Sequence, residues 1–291
     1  MKILTSLKTG MLRSMKSWKG IVIAWLCSFL LASLVAIPMK SALKAGFGNS
    51  MITEKLADGF NVEAFADLGA SFRSLRSYFS SGLFMIMLIG FLVNSFLSGG
   101  LFNSLKGISG TFSSSEFFRA SVKNFWSFFV ISLIISIIIL LMAILIIVLP
   151  VSIASQSESS PDGGAFKTAI IVTSFFLLVL TLLLLVADYA RAWQASNDNN
   201  ACFKAIGFGF RQTFRTFFSS YTLMLILFVV QGLYGWLVLS ILPGMKPVKE
   251  GGILILFLIS QLFFFIKILL KTWRYGSVTM LMELDNSKKA I

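Results

Sequence analysis

Two pairs of ionisable side chains stand toward the ends of long apolar runs: Asp188 with Arg191, and Lys267 with Lys271 one helical turn apart. A charge at membrane depth is costly unless it is paired, so such groups mark either ion-pair tethers or sites for substrates and ions. Pairing of Asp188 with Lys271 or Lys267 neutralises both partners and ties two elements together. Left open, with Asn94 of an earlier apolar run, the same groups make a polar site for a substrate or an ion. The lysines have a third use, snorkelling to headgroups. Asn94, Gln231 and Gln261 are the uncharged polar side chains within the runs, and each suits interhelical hydrogen bonding worth about 0.6 kcal/mol.

Other chemistry lacks its residues. The chain has no histidine, which removes the commonest general base near neutral pH and the commonest zinc ligand. Cys27 and Cys202 have no metal-ligand spacing and read as small structural residues. No phosphate loop or nucleophile elbow occurs, and Gly207-Phe208-Gly209 lacks the third glycine of a dinucleotide site. The expectation is a protein with no catalytic residues, no metal and no cofactor.

The elements that must position these residues are set by composition. Apolar residues make up 57% of the 291 residues, charged residues 13%, and the mean hydropathy is +0.88, outside the range of soluble domains. Six apolar runs occur at about 20–39, 79–102, 125–153, 168–193, 221–242 and 252–275, each long enough for a transmembrane helix of roughly 20 residues. The fold class is therefore all-α: a single polytopic membrane domain of about six transmembrane helices in three hairpins. The first run follows a basic segment but reads as an uncleaved helix, since its apolar core exceeds a signal-peptide h-region.

A net charge of +13 raises the question of nucleic acid, and its distribution answers it. With the amino terminus inside, sixteen Lys and Arg fall on that side and eight on the other, while Glu54, Asp58, Glu63, Asp67, Glu158, Asp162 and Glu250 fall outside. This is the positive-inside pattern, giving N-in and C-in. The inner face then attracts anionic lipid headgroups, with no nucleic-acid partner.

An amphipathic pattern recurs before three of the runs. Leu4, Leu7, Met11, Met15 and Trp18 have the same spacings as Phe203, Ile206, Phe210, Phe214 and Phe217, and Phe118, Val122, Phe125 and Phe129 form a related stripe. Lys8, Lys16 and Lys19, Arg119 and Lys123, and Lys204, Arg211 and Arg215 lie off these stripes. The pattern predicts interfacial helices over about 3–18, 114–124 and 201–217, with Ser113 and Glu116 as a capping box. Each following run ends near a proline, Pro38, Pro150 or Pro243. An outer amphipathic helix is predicted at about 63–78 from Phe65, Leu68, Phe72, Leu75 and Phe79. Ser98-Gly99-Gly100 suits close helix packing, or else a broken helix lining a cavity. The six tryptophans mostly fall near run ends as interface anchors.

In Asn94 to Phe129, a Gly-Gly at the end of a run, a short linker and a Phe-rich basic helix follow in order. This arrangement resembles uncharacterised bacterial six-span membrane proteins and the membrane region attached to some glycerophosphodiester phosphodiesterases. No phosphodiesterase catalytic domain accompanies it. The resemblance implies a bacterial cytoplasmic-membrane module. Together with the missing catalytic groups, it leads to the expectation of an accessory or scaffold subunit that packs against other membrane proteins and organises lipid. The alternative is a transporter or lipid-handling protein with a polar site between the second, fourth and sixth runs.

Overall fold

The computed structural model describes residues 2–47, 69–106, 112–156, 164–197, 201–245 and 250–287. Among these the chain is 96% helical, with eight helices and no strand. They are α1 (Lys2–Lys16), α2 (Trp18–Phe47), α3 (Gly69–Ser104), α4, α5 (Gly164–Ser196), α6 (Cys202–Arg215), α7 (Phe217–Ile241) and α8 (Glu250–Ser287). Helix α4 runs through Ser114–Ala143, a π-helical turn at Ile144–Val148 and Leu149–Gln156. Five helices are long and apolar enough to cross a membrane, or six when the pair Lys2–Lys16 and Trp18–Leu34, bent by 67°, counts as one. The protein is thus a multi-pass helical membrane protein.

Local sequence accounts for the irregular points. Pro150 cannot donate to the carbonyl four residues back and its ring crowds it; the π turn directly before it absorbs the mismatch. Helix α2 carries through Pro38 to Phe47, while α7 ends in a 3-10 turn at Leu242–Gly244 that contains Pro243. Ser113 is extended before α4 but makes no side-chain cap, its hydroxyl lying 2.9 Å from Ser115 Oγ instead. The predicted capping box is therefore not formed.

Contacts divide the chain into two compact units. One comprises Ala24–Asn94, that is, the later part of α2 and most of α3. Within it Gly90 packs near Leu31, and Trp25 stacks on Phe29 at 5.8 Å. The predicted outer helix falls here: residues 63–68 lie outside the described residues, and 69–78 are the first turns of α3 with no break before the span.

The other unit, Met1–Ile23 with Ser95–Ile291, is organised by three helix crossings. Helix α1 lies on the end of α8, α6 lies on the end of α5, and the first turns of α4 lie on the end of α3. Each crossing brings backbones together at a residue too small to hold them apart. A Cβ added at Gly10 would stand 2.5 Å from the amide nitrogen of Ser277, and one at Gly209 would stand 2.5 Å from the carbonyl oxygen of Val186. At the third, a Cβ on Gly99 would stand 3.1 Å from Ser121 Cα and 3.2 Å from the Ala120 carbonyl oxygen, and one on Gly100 would meet the Ser121 and Phe117 side chains. Small residues permit such approach, which is the main source of helix association where no water is displaced. The Gly99-Gly100 pair therefore packs, inside an unbroken helix that reaches Ser104.

Aligning the stripes of α1 and α6 places Gly10 on Gly209, Ser6 on Ala205, Arg13 on Gln212 and Ser14 on Thr213, and all eight residues are buried. The same register in α4 gives Phe117, Ser121 and Asn124, also buried. Each amphipathic segment crosses the helix that closes the preceding hairpin, and α1 uses α8, so the pattern is cyclic. Residues 114–124, predicted as a separate interfacial helix, are continuous with the span that follows; α1 and α6 are separate helices.

Candidate functional site

The apolar stripes of α1 and α6 are only partly covered by the bundle, with Leu7, Met11, Ile206, Phe210 and Phe217 half-buried. Leu4, Met15, Trp18, Phe203 and Phe214 are exposed, as are Phe118 and Val122 at the start of α4. Small and polar residues hold these segments in place, leaving a greasy stripe outward. The eight basic residues Lys8, Lys16, Lys19, Arg119, Lys123, Lys204, Arg211 and Arg215 are all exposed as well.

Both chain ends gather at this same end of the unit. Arg13 makes a bidentate pair with Glu283, at 3.1 and 2.7 Å, and donates to the Leu105 carbonyl at 3.2 Å. Asp285 accepts from Lys2 at 2.9 Å and from Gln212 at 3.1 Å. The last turns of α8 are thus tied to α1, α6 and the end of α3. Trp273 donates to the Leu7 carbonyl at 2.9 Å, and Trp193 stacks on Phe208 at 5.8 Å. Those two tryptophans join crossing helices, whereas Trp18, Trp126 and Trp236 are exposed.

Above this layer lies a buried charge cluster. Asp188 is fully buried; its Oδ2 stands 2.8 Å from Arg274 Nε and its Oδ1 3.2 Å from Arg191. Arg191 also donates to Ser132 Oγ at 2.9 Å. Beside it, Phe102 stacks on Tyr275 at 4.4 Å and meets Phe128 edge-on at 5.8 Å. Charge and ring contacts together join α3, α4, α5 and α8. A second polar chain ties α5 to the α6–α7 junction, with Tyr189 Oη 2.6 Å from Ser220 Oγ, itself 2.7 Å from Thr216 Oγ1.

This corrects the predicted pairing. The salt bridges of Asp188 are made by Arg191 and Arg274, and a guanidinium suits such a buried pair because it supplies several donors in a fixed plane and is less strongly hydrated than an ammonium. Arg274 was missed, although Lys267, Lys271 and Arg274 fall at i, i+4 and i+7, a cationic face legible in the sequence. Asn94 belongs to the other unit.

Lys267 and Lys271 open instead into a groove of about 570 Å³ between α7 and α8. Its polar end is made by Gln231, Tyr234, Lys267, Lys271 and Arg274; its other end by Val238, Leu239, Leu242, Phe263 and Phe264, with Ser260. Tyr234 donates to the Phe263 carbonyl at 2.6 Å, and Gln231 reaches the Leu270 carbonyl at 3.4 Å. Lys271 Nζ stands 5.7 Å from the centre of the Tyr275 ring, within cation–π range. No group of His, Cys, Asp and Glu able to hold a metal occurs among the described residues. No family model, curated protein or solved structure matches the chain.

Proposed function

We propose that this chain is a non-enzymatic, multi-pass protein of a bacterial cytoplasmic membrane, lying N-in and C-in, that organises anionic lipid and serves as an accessory or scaffold subunit of a membrane complex. The carrying observation is that α1 and α6, held by their small-residue faces, present exposed apolar side chains, Leu4 and Met15 with Phe203 and Phe214, beside an exposed basic edge. Such a helix lies in the interface with its apolar side among acyl chains and its cations near headgroups. The basic edges attract an anionic leaflet, and the greasy stripes accept the flank of another membrane protein.

The test replaces Leu4, Met15 and Trp18 with Gln, which leaves the packed face of α1 intact. Purification from native membranes in gentle detergent, followed by mass spectrometry, is expected to show stoichiometric protein partners with the wild type and their loss with the variant. Equal recovery in both overturns the scaffold reading. Topology is read separately with Lys8→Cys in a chain whose own cysteines are Ser: a membrane-impermeant maleimide is expected to label it only after the membrane is opened.

The rival reading, a transporter or lipid-handling protein, draws support from a different place than its sequence basis suggested. Asp188 is ion-paired with two arginines, and the groove between α7 and α8 has space and cations.

A further inference from the structure

We infer that the α7–α8 groove holds one anionic phospholipid of the leaflet on the side of α1 and α6, its phosphate at Lys267 and Lys271 and an acyl chain along Val238, Leu239 and Phe263. The inference deepens the lipid-organising part of the function above and rests on it for the class of ligand alone.

Three observations carry it. First, the groove is graded: the lining has three cations at one end, an apolar wall at the other and no carboxylate. The one carboxylate nearby, Asp188, is occupied with Arg191 and Arg274. Lys267 is exposed and absent from any ion pair among the described residues. A cationic end with an apolar wall selects an amphipathic anion over a free ion or a neutral lipid.

Second, the length matches. From Ser260 to Arg274 the groove follows α8 over fourteen residue steps, about 21 Å at 1.5 Å per step. One leaflet with its headgroups is about 20–22 Å deep, half of a bilayer's roughly 40–45 Å. Third, the depth and direction match. The apolar stretch of α8 starts at Gly251, so Lys267 and Lys271 lie about 24 and 30 Å along the axis, at the far boundary of a hydrocarbon core of about 30 Å. That boundary is on the side where α8 meets α1 and α6. The apolar end of the groove points back toward mid-membrane, as an acyl chain does.

Gly235 supplies a steric handle. It lines the groove, and a Cβ there would meet nothing within 4 Å. A phenylalanine at this position occupies the groove without changing its charge.

The wild-type chain is reconstituted in nanodiscs of equal parts phosphatidylglycerol and phosphatidylethanolamine, transferred to mild detergent and weighed intact by mass spectrometry. One phosphatidylglycerol per chain is expected to survive. Lys267→Gln with Lys271→Gln, and separately Gly235→Phe, are expected to lower its retention at least tenfold, and Lys267→Arg with Lys271→Arg to restore most of it. Lys204→Gln with Arg211→Gln and Arg215→Gln is expected to leave that single lipid in place while reducing bulk enrichment of anionic lipid, so the groove and the basic helices fail separately. Equal retention in both groove variants, equal retention of phosphatidylethanolamine, or loss only with the α6 variant overturns the inference. Lys267→Gln alone, at an exposed position, serves as the fold-preserving check and is expected to show a partial loss.

Discussion

Two neighbouring sets of cations on α8 meet opposite fates. Arg274 is buried against Asp188 of α5, while Lys267, two turns earlier on the same face, opens into the groove beside α7. One helical face thus crosses from a buried contact to an open groove within about 10 Å of axis. The dividing line is the neighbour: where α5 offers a carboxylate, charge becomes packing, and where α7 offers Gly235 and apolar side chains, charge lines a groove. Side-chain chemistry follows the division, with the planar guanidinium in the closed site and the mobile ammonium groups at the open one.

The largest expected effect tests the closed side. Asp188→Asn leaves Arg191 and Arg274 buried without their counter-charge, and breaking a buried pair this way costs about 3–5 kcal/mol. Equilibrium unfolding in mixed micelles is expected to show that loss. A variant as stable as the wild type would mean that water reaches the cluster and that it belongs with the groove as a site.

Next come the crossings. Gly10→Leu and Gly209→Leu drive a side chain into the backbone of α8 and α5, an overpacking worth about 1–3 kcal/mol or more. Gly207, two residues from Gly209 on the same helix, has nothing within 4 Å of a Cβ. Gly207→Ala is therefore expected to stabilise by about 0.5–1 kcal/mol through helix propensity alone. Opposite signs on one helix separate close packing from a general tolerance of glycine. A smaller effect is expected for Tyr234→Phe, which removes the bond to the Phe263 carbonyl at about 0.6 kcal/mol.

The helical, multi-pass architecture was legible because apolar run length is a direct physical requirement of the bilayer. The stripes of α1 and α6 were legible in position, and their burial shows why periodicity alone does not assign a face: Leu4 and Phe203 look like core residues to a soluble-protein rule, yet Gly10 and Gly209 hold the packed side. In a membrane the apolar face has no need to be buried, and small residues gain the contacts. Asp188 and Arg191 were singled out at the end of an apolar run because ionisable groups there are rare. The partner Arg274 was not found, since helix pairing fixes which of three cations on one helical face meets the carboxylate. The separate helix expected at 114–124 is absent: the break at Thr216 before α7 has no counterpart in α4, and no glycine or proline lies between Ser114 and Pro150 to make one.

The smallest effect is the sharpest for the open side. Lys267→Gln alters an exposed residue that makes no ion pair among those described, so the unfolding free energy in lipid-free detergent is expected to stay within about 0.5 kcal/mol of wild type. A ligand that binds only the folded state stabilises it by mass action. Added phosphatidylglycerol is therefore expected to raise the wild-type midpoint and to leave the Lys267→Gln midpoint nearly unmoved. A loss of stability already present without lipid would place Lys267 with Arg274 among the structural cations and erase the division between the two ends of that face.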